Sequence, residues 1–91
     1  MPLTVTPPPE QFDHPYRGGP LVEYRLPLEQ AREMCGAMGY ELIVDDCSAI
    51  RIKDNTCVIV VPVDGPDPVI AHYERHEIAH CNGWRADHAS E

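Results

Sequence analysis

The stretch that decides the fold is Asp67-Pro68-Val69-Ile70-Ala71-His72-Tyr73-Glu74-Arg75-His76-Glu77-Ile78-Ala79-His80-Cys81-Asn82-Gly83. Its two ends carry helix signals: Asp67 suits the N-cap, Pro68 suits the first helical position, and Gly83 suits the residue just past the C-terminus. At about 100° per residue, His76 and His80 fall on one stripe of the helical wheel. The sequence therefore predicts a helix of about four turns that presents two imidazole rings in one direction.

Residues 76–80 form the pattern H-E-x-x-H, in which two histidines four residues apart can bind one metal ion. Glu77 lies beside them and can reach a metal-bound water. His72 precedes the pair by one turn, but its direction on the helical wheel diverges from theirs. The pattern has only three fixed positions, and its occurrence on a predicted helix strengthens the prediction of a metal site. We predict His76 and His80 as ligands of Zn²⁺ and Glu77 as a general base.

A catalytic zinc takes three protein ligands and a water, so a third ligand is expected after the helix. The few residues after Gly83 do not accommodate the second helix that supplies a glutamate in thermolysin-like enzymes. In metzincins a histidine lies three residues after the glycine, but Ala86 stands at that position here. We expect His88 to be the third ligand, because imidazole is the commoner zinc ligand. Asp87 is the alternative.

The run from His76 to His88 resembles a signature, H-E-x-[AG]-H-C-N-G-W-x-x-D-H, of small zincin-like proteins from bacteria and their phages. The residues 57–62 also resemble the strand that precedes the metal helix in those proteins. The resemblance extends over about residues 45–88. It implies a zinc metallopeptidase-like domain with the three histidines as ligands and Glu77 as base. By the same resemblance, residues 56–61 lie at a sheet edge and pair with an extended substrate.

Two functional classes follow from these residues. The first is a zinc-dependent metallopeptidase that hydrolyses peptide bonds in a peptide or protein substrate, and Glu77 favours it because a purely structural site does not need a base. The second is a non-catalytic zinc-binding structural or assembly protein, related to phage components. The short chain favours this second class, as does the lack, after His88, of residues for the Met-turn of true metzincins.

The length and the net charge of the chain limit which architectures and which partners are expected. A chain of 91 residues predicts one domain. Six of the ten prolines lie within residues 1–20, which predicts a Pro-rich extended arm before a single domain over residues 21–91. The net charge of −8 argues against nucleic acid or an anionic membrane as partner. No secretory signal or transmembrane-length run is visible, so a cytoplasmic or phage-associated protein is expected.

The pattern between the arm and the metal helix predicts an α+β fold. Strands are predicted over 21–26, 40–44, 49–52 and 56–61, and a helix over 28–38. They predict a small, largely antiparallel sheet with two helices on one face, the second helix carrying H-E-x-x-H. Asp45 and Asp46 are interpreted as a solvated turn. The chain has four cysteines and no C-x-x-C pair, and free thiols are expected in a cytosolic setting.

Overall fold

The structure of the protein is a computed structural model, which describes residues 6–86 and residue 88. The fold is α+β, as predicted, with three strands and two α-helices in the described part of the chain. The elements are a single 3₁₀ turn at Glu10–Phe12, β1 at Leu21–Leu26, α1 at Leu28–Ala37, β2 at Cys47–Arg51, β3 at Thr56–Pro62 and α2 at Asp67–Cys81. Within the described ranges, no helix is long and apolar enough to span a lipid bilayer.

The strands form a mixed sheet in the order β1-β3-β2. β1 runs parallel to β3, with Leu21 opposite Cys57, and β2 runs antiparallel to β3, with Cys47 opposite Val60. The sheet is therefore half parallel, and the prediction of a largely antiparallel sheet is wrong. β3 is also central, so the expected position of residues 56–61 at a sheet edge is wrong. The continuous apolar run of β3 is typical of a strand with neighbours on both sides and both faces covered.

The two helices cover opposite faces of the sheet. Side chains of a strand point alternately to its two faces. Val60 packs with Ala31 and Cys35 of α1, whereas Ile59 and Val61 pack in a second cluster with Cys81 of α2. The expectation that both helices lie on one face is wrong. Successive residues of β3 are all apolar, so they can pack against a helix on each face of the sheet.

The segment from Tyr40 to Val44 is a loop, and the prediction of a strand there is wrong. Gly39 ends the preceding helix region with a positive φ of 102°. The Tyr40 hydroxyl donates to the Ser48 carbonyl oxygen at 2.6 Å and accepts from the Ser48 N–H at 3.3 Å. Tyr40 thus occupies backbone groups of β2 that a further strand would have to pair with. Leu42 and Ile43 are left 80% and 86% exposed.

All four cysteines are paired, as Cys35–Cys47 and Cys57–Cys81, so the expectation of free thiols is wrong. Each of the two strand cysteines is joined to a helix, Cys47 of β2 to α1 and Cys57 of β3 to α2. The Cα atoms of the pairs are 5.8 and 5.9 Å apart, within the range that a disulfide spans.

We predict that removing either disulfide lowers the stability of the fold. Joining residues 24 positions apart contributes about 3.5 kcal/mol in the chain-entropy estimate, and joining residues 12 apart contributes about 3 kcal/mol. Urea unfolding of Cys57→Ser/Cys81→Ser and of Cys35→Ser/Cys47→Ser should show losses of this order. Thiol titration of the unreduced, denatured wild-type protein should find no free thiol, and four free thiols would contradict the pairing.

Candidate metal centre

The helix α2 carries His76 and His80, and the turn that follows the helix directs the chain back towards them. At its end Gly83 has a φ of 108°, its N–H donates to the His80 carbonyl oxygen, and the Trp84 N–H donates to the Ala79 carbonyl oxygen, both at 3.1 Å. This pattern is a Schellman motif, which glycine favours because it has no Cβ to strain the left-handed conformation. The predicted glycine stop is confirmed. The turn directs the following residues back over the helix.

His88 completes a cluster of three imidazole rings. The Nε2 atom of His76 lies 3.2 Å from Nε2 of His80 and 3.2 Å from Nε2 of His88. The His88 N–H donates to the Arg85 carbonyl oxygen at 2.9 Å, and His88 has a positive φ of 61°. Such a backbone conformation is uncommon for a residue with a side chain, and it turns the His88 ring towards the helix.

Backbone carbonyl groups determine which ring nitrogens of the helical histidines carry the proton. Nδ1 of His76 lies 2.7 Å from the Thr6 carbonyl oxygen, and Nδ1 of His80 lies 2.9 Å from the Trp84 carbonyl oxygen. A carbonyl oxygen can only accept, so each Nδ1 donates its N–H. In a neutral imidazole the other nitrogen then carries a lone pair. Both Nε2 atoms therefore present lone pairs, and they present them to each other.

Two lone pairs that face each other at 3.2 Å repel unless something positive lies between them. Metal–imidazole bonds of about 2.0–2.1 Å at a tetrahedral angle place two nitrogens about 3.3–3.4 Å apart. The observed spacing is close to that value, and a carbonyl acceptor on the second nitrogen is the usual partner of a metal-bound histidine. The three histidines thus form a group that could hold a metal ion.

Glu77 lies beside this group and is almost completely buried, at 4% exposure. Burial, followed by the hydrogen bond and charge of the Asp46 carboxyl group, raises the pKa of Glu77 well above its usual range, while the Ser48 side chain acts in the opposite direction. Ligand atoms of Asp46, His76 and Glu77 lie within 4.8 Å of one another. The interpretation of Asp46 as part of a solvated turn is therefore wrong. It faces Glu77, whereas Asp45 pairs with Arg32 at 2.7 Å.

Trp84 packs against the histidines. Its ring stacks on His80 with centroids 4.7 Å apart and an interplanar angle of 12°, and it contacts His76 edge-on at 4.9 Å. Trp84 is only 3% exposed, as expected for a residue that packs the post-helix turn. Burial lowers the pKa of His80, which favours the neutral imidazole that binds a metal.

A pocket of about 260 Å³ adjoins the cluster. His76 and His88 form one side of it, together with Tyr73 from the preceding turn of α2. The loop residues from Ile43 to Asp46 form another side. The residues next to the candidate metal position are therefore reached from solvent through a cleft with both apolar and acidic walls.

The residues predicted from the sequence, His76, Glu77, His80 and His88, are brought together in the structure. Asp46 was not among them, because its nearness to Glu77 depends on how the loop before β2 crosses α2. Among described residues His72 joins no such cluster. The alternative ligand Asp87 lies outside the described residues.

No family model, curated protein or solved structure matches the chain.

We predict that His88→Ala removes stoichiometric metal binding, since two histidines on one helix then remain. His72→Ala is the matched control, because it deletes an imidazole from the same helix outside the cluster. Metal content after dialysis against a limited zinc concentration should fall well below one equivalent for His88→Ala and stay near one for His72→Ala. The same measurement on Asp87→Ala decides between the two expected third ligands: full loss there with retention in His88→Ala would assign the role to Asp87.

Proposed function

We propose that the protein is a zinc-dependent metallopeptidase-like hydrolase that cleaves peptide bonds through a metal-activated water. The observation that carries the proposal is the convergence of three imidazole Nε2 atoms beside a buried glutamate. Three nitrogen ligands at tetrahedral spacing are typical of catalytic zinc sites. The resemblance to small zincin-like proteins supports the same assignment of His76, His80 and His88 as ligands.

The ligand set supports a catalytic site more than a structural one. Structural zinc sites are closed by four protein ligands, whereas catalytic sites keep one position for water. In the described part of the chain, the histidine group contains three residues, and the carboxyl groups of Asp46 and Glu77 approach His76 without joining all three histidines. His88 is exposed and the adjoining pocket opens to solvent, so a water and a substrate carbonyl have access.

Zinc in such a site supplies a water whose pKa is lowered towards neutrality and a Lewis acid for the scissile carbonyl. Glu77 would accept a proton at its carboxylate and would deliver it to the leaving amine. In the absence of a cation, its buried position and the Asp46 carboxyl group raise the pKa of Glu77. A dication beside Glu77 lowers the pKa of this group and favours its carboxylate form.

The open edge of β2 offers a place for an extended substrate. Among the described residues, β2 pairs with a strand only on its β3 side, and its residue Ser48 contacts Glu77. The outward backbone groups of Ser48 bind the Tyr40 hydroxyl, so a substrate strand would replace Tyr40 there. Strand addition at such an edge recognises main-chain groups and suits a peptide or protein substrate.

The second candidate function is a non-catalytic metal-binding protein with a structural or assembly role, as in a phage component. The near-complete burial of Glu77 and its contacts with Asp46 and Ser48 favour this alternative, because they also suit a residue that only anchors the helix. The two candidates differ in one respect that can be measured, which is whether Glu77 is needed for chemistry or only for the fold.

We predict that Glu77→Gln abolishes hydrolysis and keeps the metal. Glutamine has nearly the shape of glutamate but cannot accept the proton, and the loss of a general base lowers kcat by at least about 100-fold. The assay is cleavage of an unstructured protein by the zinc-loaded wild type and variant, with metal content measured on both. A variant that cleaves at the wild-type rate would reject the mechanism. A wild type that binds zinc but cleaves nothing supports the non-catalytic alternative.

We predict a smaller effect from Asp46→Ala, which removes the group that orients Glu77. A hydrogen bond to a charged group is worth about 1.5 kcal/mol, so kcat should fall about tenfold with little change in KM. Asp45→Ala is the matched control, since Asp45 also lines the pocket but pairs with Arg32 instead. Equal losses in the two variants would contradict an orienting role specific to Asp46.

A further inference from the structure

The ring of His76 depends on a contact that is remote in sequence. His80 takes its carbonyl partner from Trp84, four residues away in the post-helix turn. His76 takes its partner from Thr6, which is 70 residues away, at 2.7 Å. Thr6 belongs to residues 6–20, here called the N-terminal segment, and it also lines the pocket beside the cluster.

The N-terminal segment is held on the same helix that carries the histidines. The Asn82 side-chain amide donates to the carbonyl oxygens of Phe12 and His14, at 2.9 and 2.6 Å. Arg75 forms an ion pair with Asp13. Arg75 directly precedes His76 in α2, and Asn82 is the C-cap residue of the helix, two positions after His80. The helix therefore holds the segment at both ends of the metal-binding stretch.

We propose that the N-terminal segment is part of the metal centre. Its Thr6 carbonyl positions His76 for the metal, and Arg75 and Asn82 hold Thr6 in place. This inference rests on the proposed metal site and is independent of peptidase activity. The physical reason is that a free imidazole can rotate and can carry its proton on either nitrogen. A fixed carbonyl acceptor on Nδ1 commits the lone pair of Nε2 to the metal.

Thermodynamic linkage makes the effect reciprocal. If docking of the N-terminal segment strengthens metal binding, then metal binding must strengthen docking by the same factor. A metal-bound imidazole is also a better donor from Nδ1 than a free one, because the cation draws electron density from the ring. The segment contains the exposed Arg17, which provides a site for trypsin that reports on docking without any reference to catalysis.

The experiment measures zinc affinity, by competition with a chromophoric chelator, for the full-length wild type and for Arg75→Ala/Asn82→Ala. Loss of a residue that orients a metal ligand through a hydrogen bond weakens metal binding by about 10- to 100-fold, and this loss is expected in the double variant. Arg25→Ala is the matched control. It removes an α2 ion pair, with Glu74, and Arg25 is as exposed as Arg75, at 57% against 55%.

Two further readouts separate positioning from a general loss of stability. In the zinc-saturated wild type, the Nδ1 proton of His76 should give a slowly exchanging NMR signal, which should be lost in the double variant while the signal for His80 persists. Zinc should also slow trypsin cleavage after Arg17 in the wild type more than in the double variant. The charge swap Asp13→Arg/Arg75→Asp should restore the affinity that Arg75→Asp alone loses.

If the double variant binds zinc with wild-type affinity, the inference is overturned and the proposed metal site is not affected. Cleavage after Arg17 at the same rate with and without zinc also overturns it. A wild-type protein that binds no zinc overturns both the inference and the proposed function. If the double variant does not fold by circular dichroism, the single variant Arg75→Asp and its charge swap decide in the same way.

Discussion

The attachment of α2 to the central strand β3 is the constraint on which the rest of the structure depends. Ile59 and Val61 are fully buried, and Cys57 of the same strand is covalently joined to Cys81 at the end of the helix. Cys81 directly follows His80, so the disulfide ties a candidate ligand to the core. A small domain buries a limited apolar surface, and covalent links of this kind supply stability that its core cannot.

The second disulfide constrains the other side of the site in the same manner. Cys47 begins β2 and is joined to Cys35 of α1, and the residue before it is Asp46. The loop that carries Asp46 is otherwise irregular and bears two exposed aliphatic side chains. The last residue of this loop, Asp46, nevertheless faces Glu77. Glu77 lies within α2 and Asp46 directly precedes β2, and groups carried by regular elements are held more precisely than groups on loops.

Sequence reasoning succeeded where the signal is local. The glycine stop of α2, the strand β1 and the helix α1 follow from spacing and from glycine and proline positions, and the structure confirms them. The prediction of Asp67 as the N-cap of α2 is wrong, because Pro66 occupies that position without a side-chain cap and Asp67 is already the first helical residue. Sequence reasoning failed for residues 40–44, whose apolar composition suits a strand, because a strand needs a partner and Tyr40 already binds the backbone of Ser48. It also failed for the cysteines, since disulfide partners are set by which face of the sheet each side chain occupies.

For the site, the sequence by itself determined that two histidines and a glutamate share one face of a helix, because a helical repeat brings residues four apart together. His88 was expected as the third ligand because imidazole is the commoner zinc ligand, and the positive φ at that residue accompanies the return of the chain towards the helix. Only the tertiary structure decided that Asp46 meets Glu77 and that Thr6 meets His76. These partners are 31 and 70 residues apart, and such contacts depend on sheet order and loop path rather than on any local pattern.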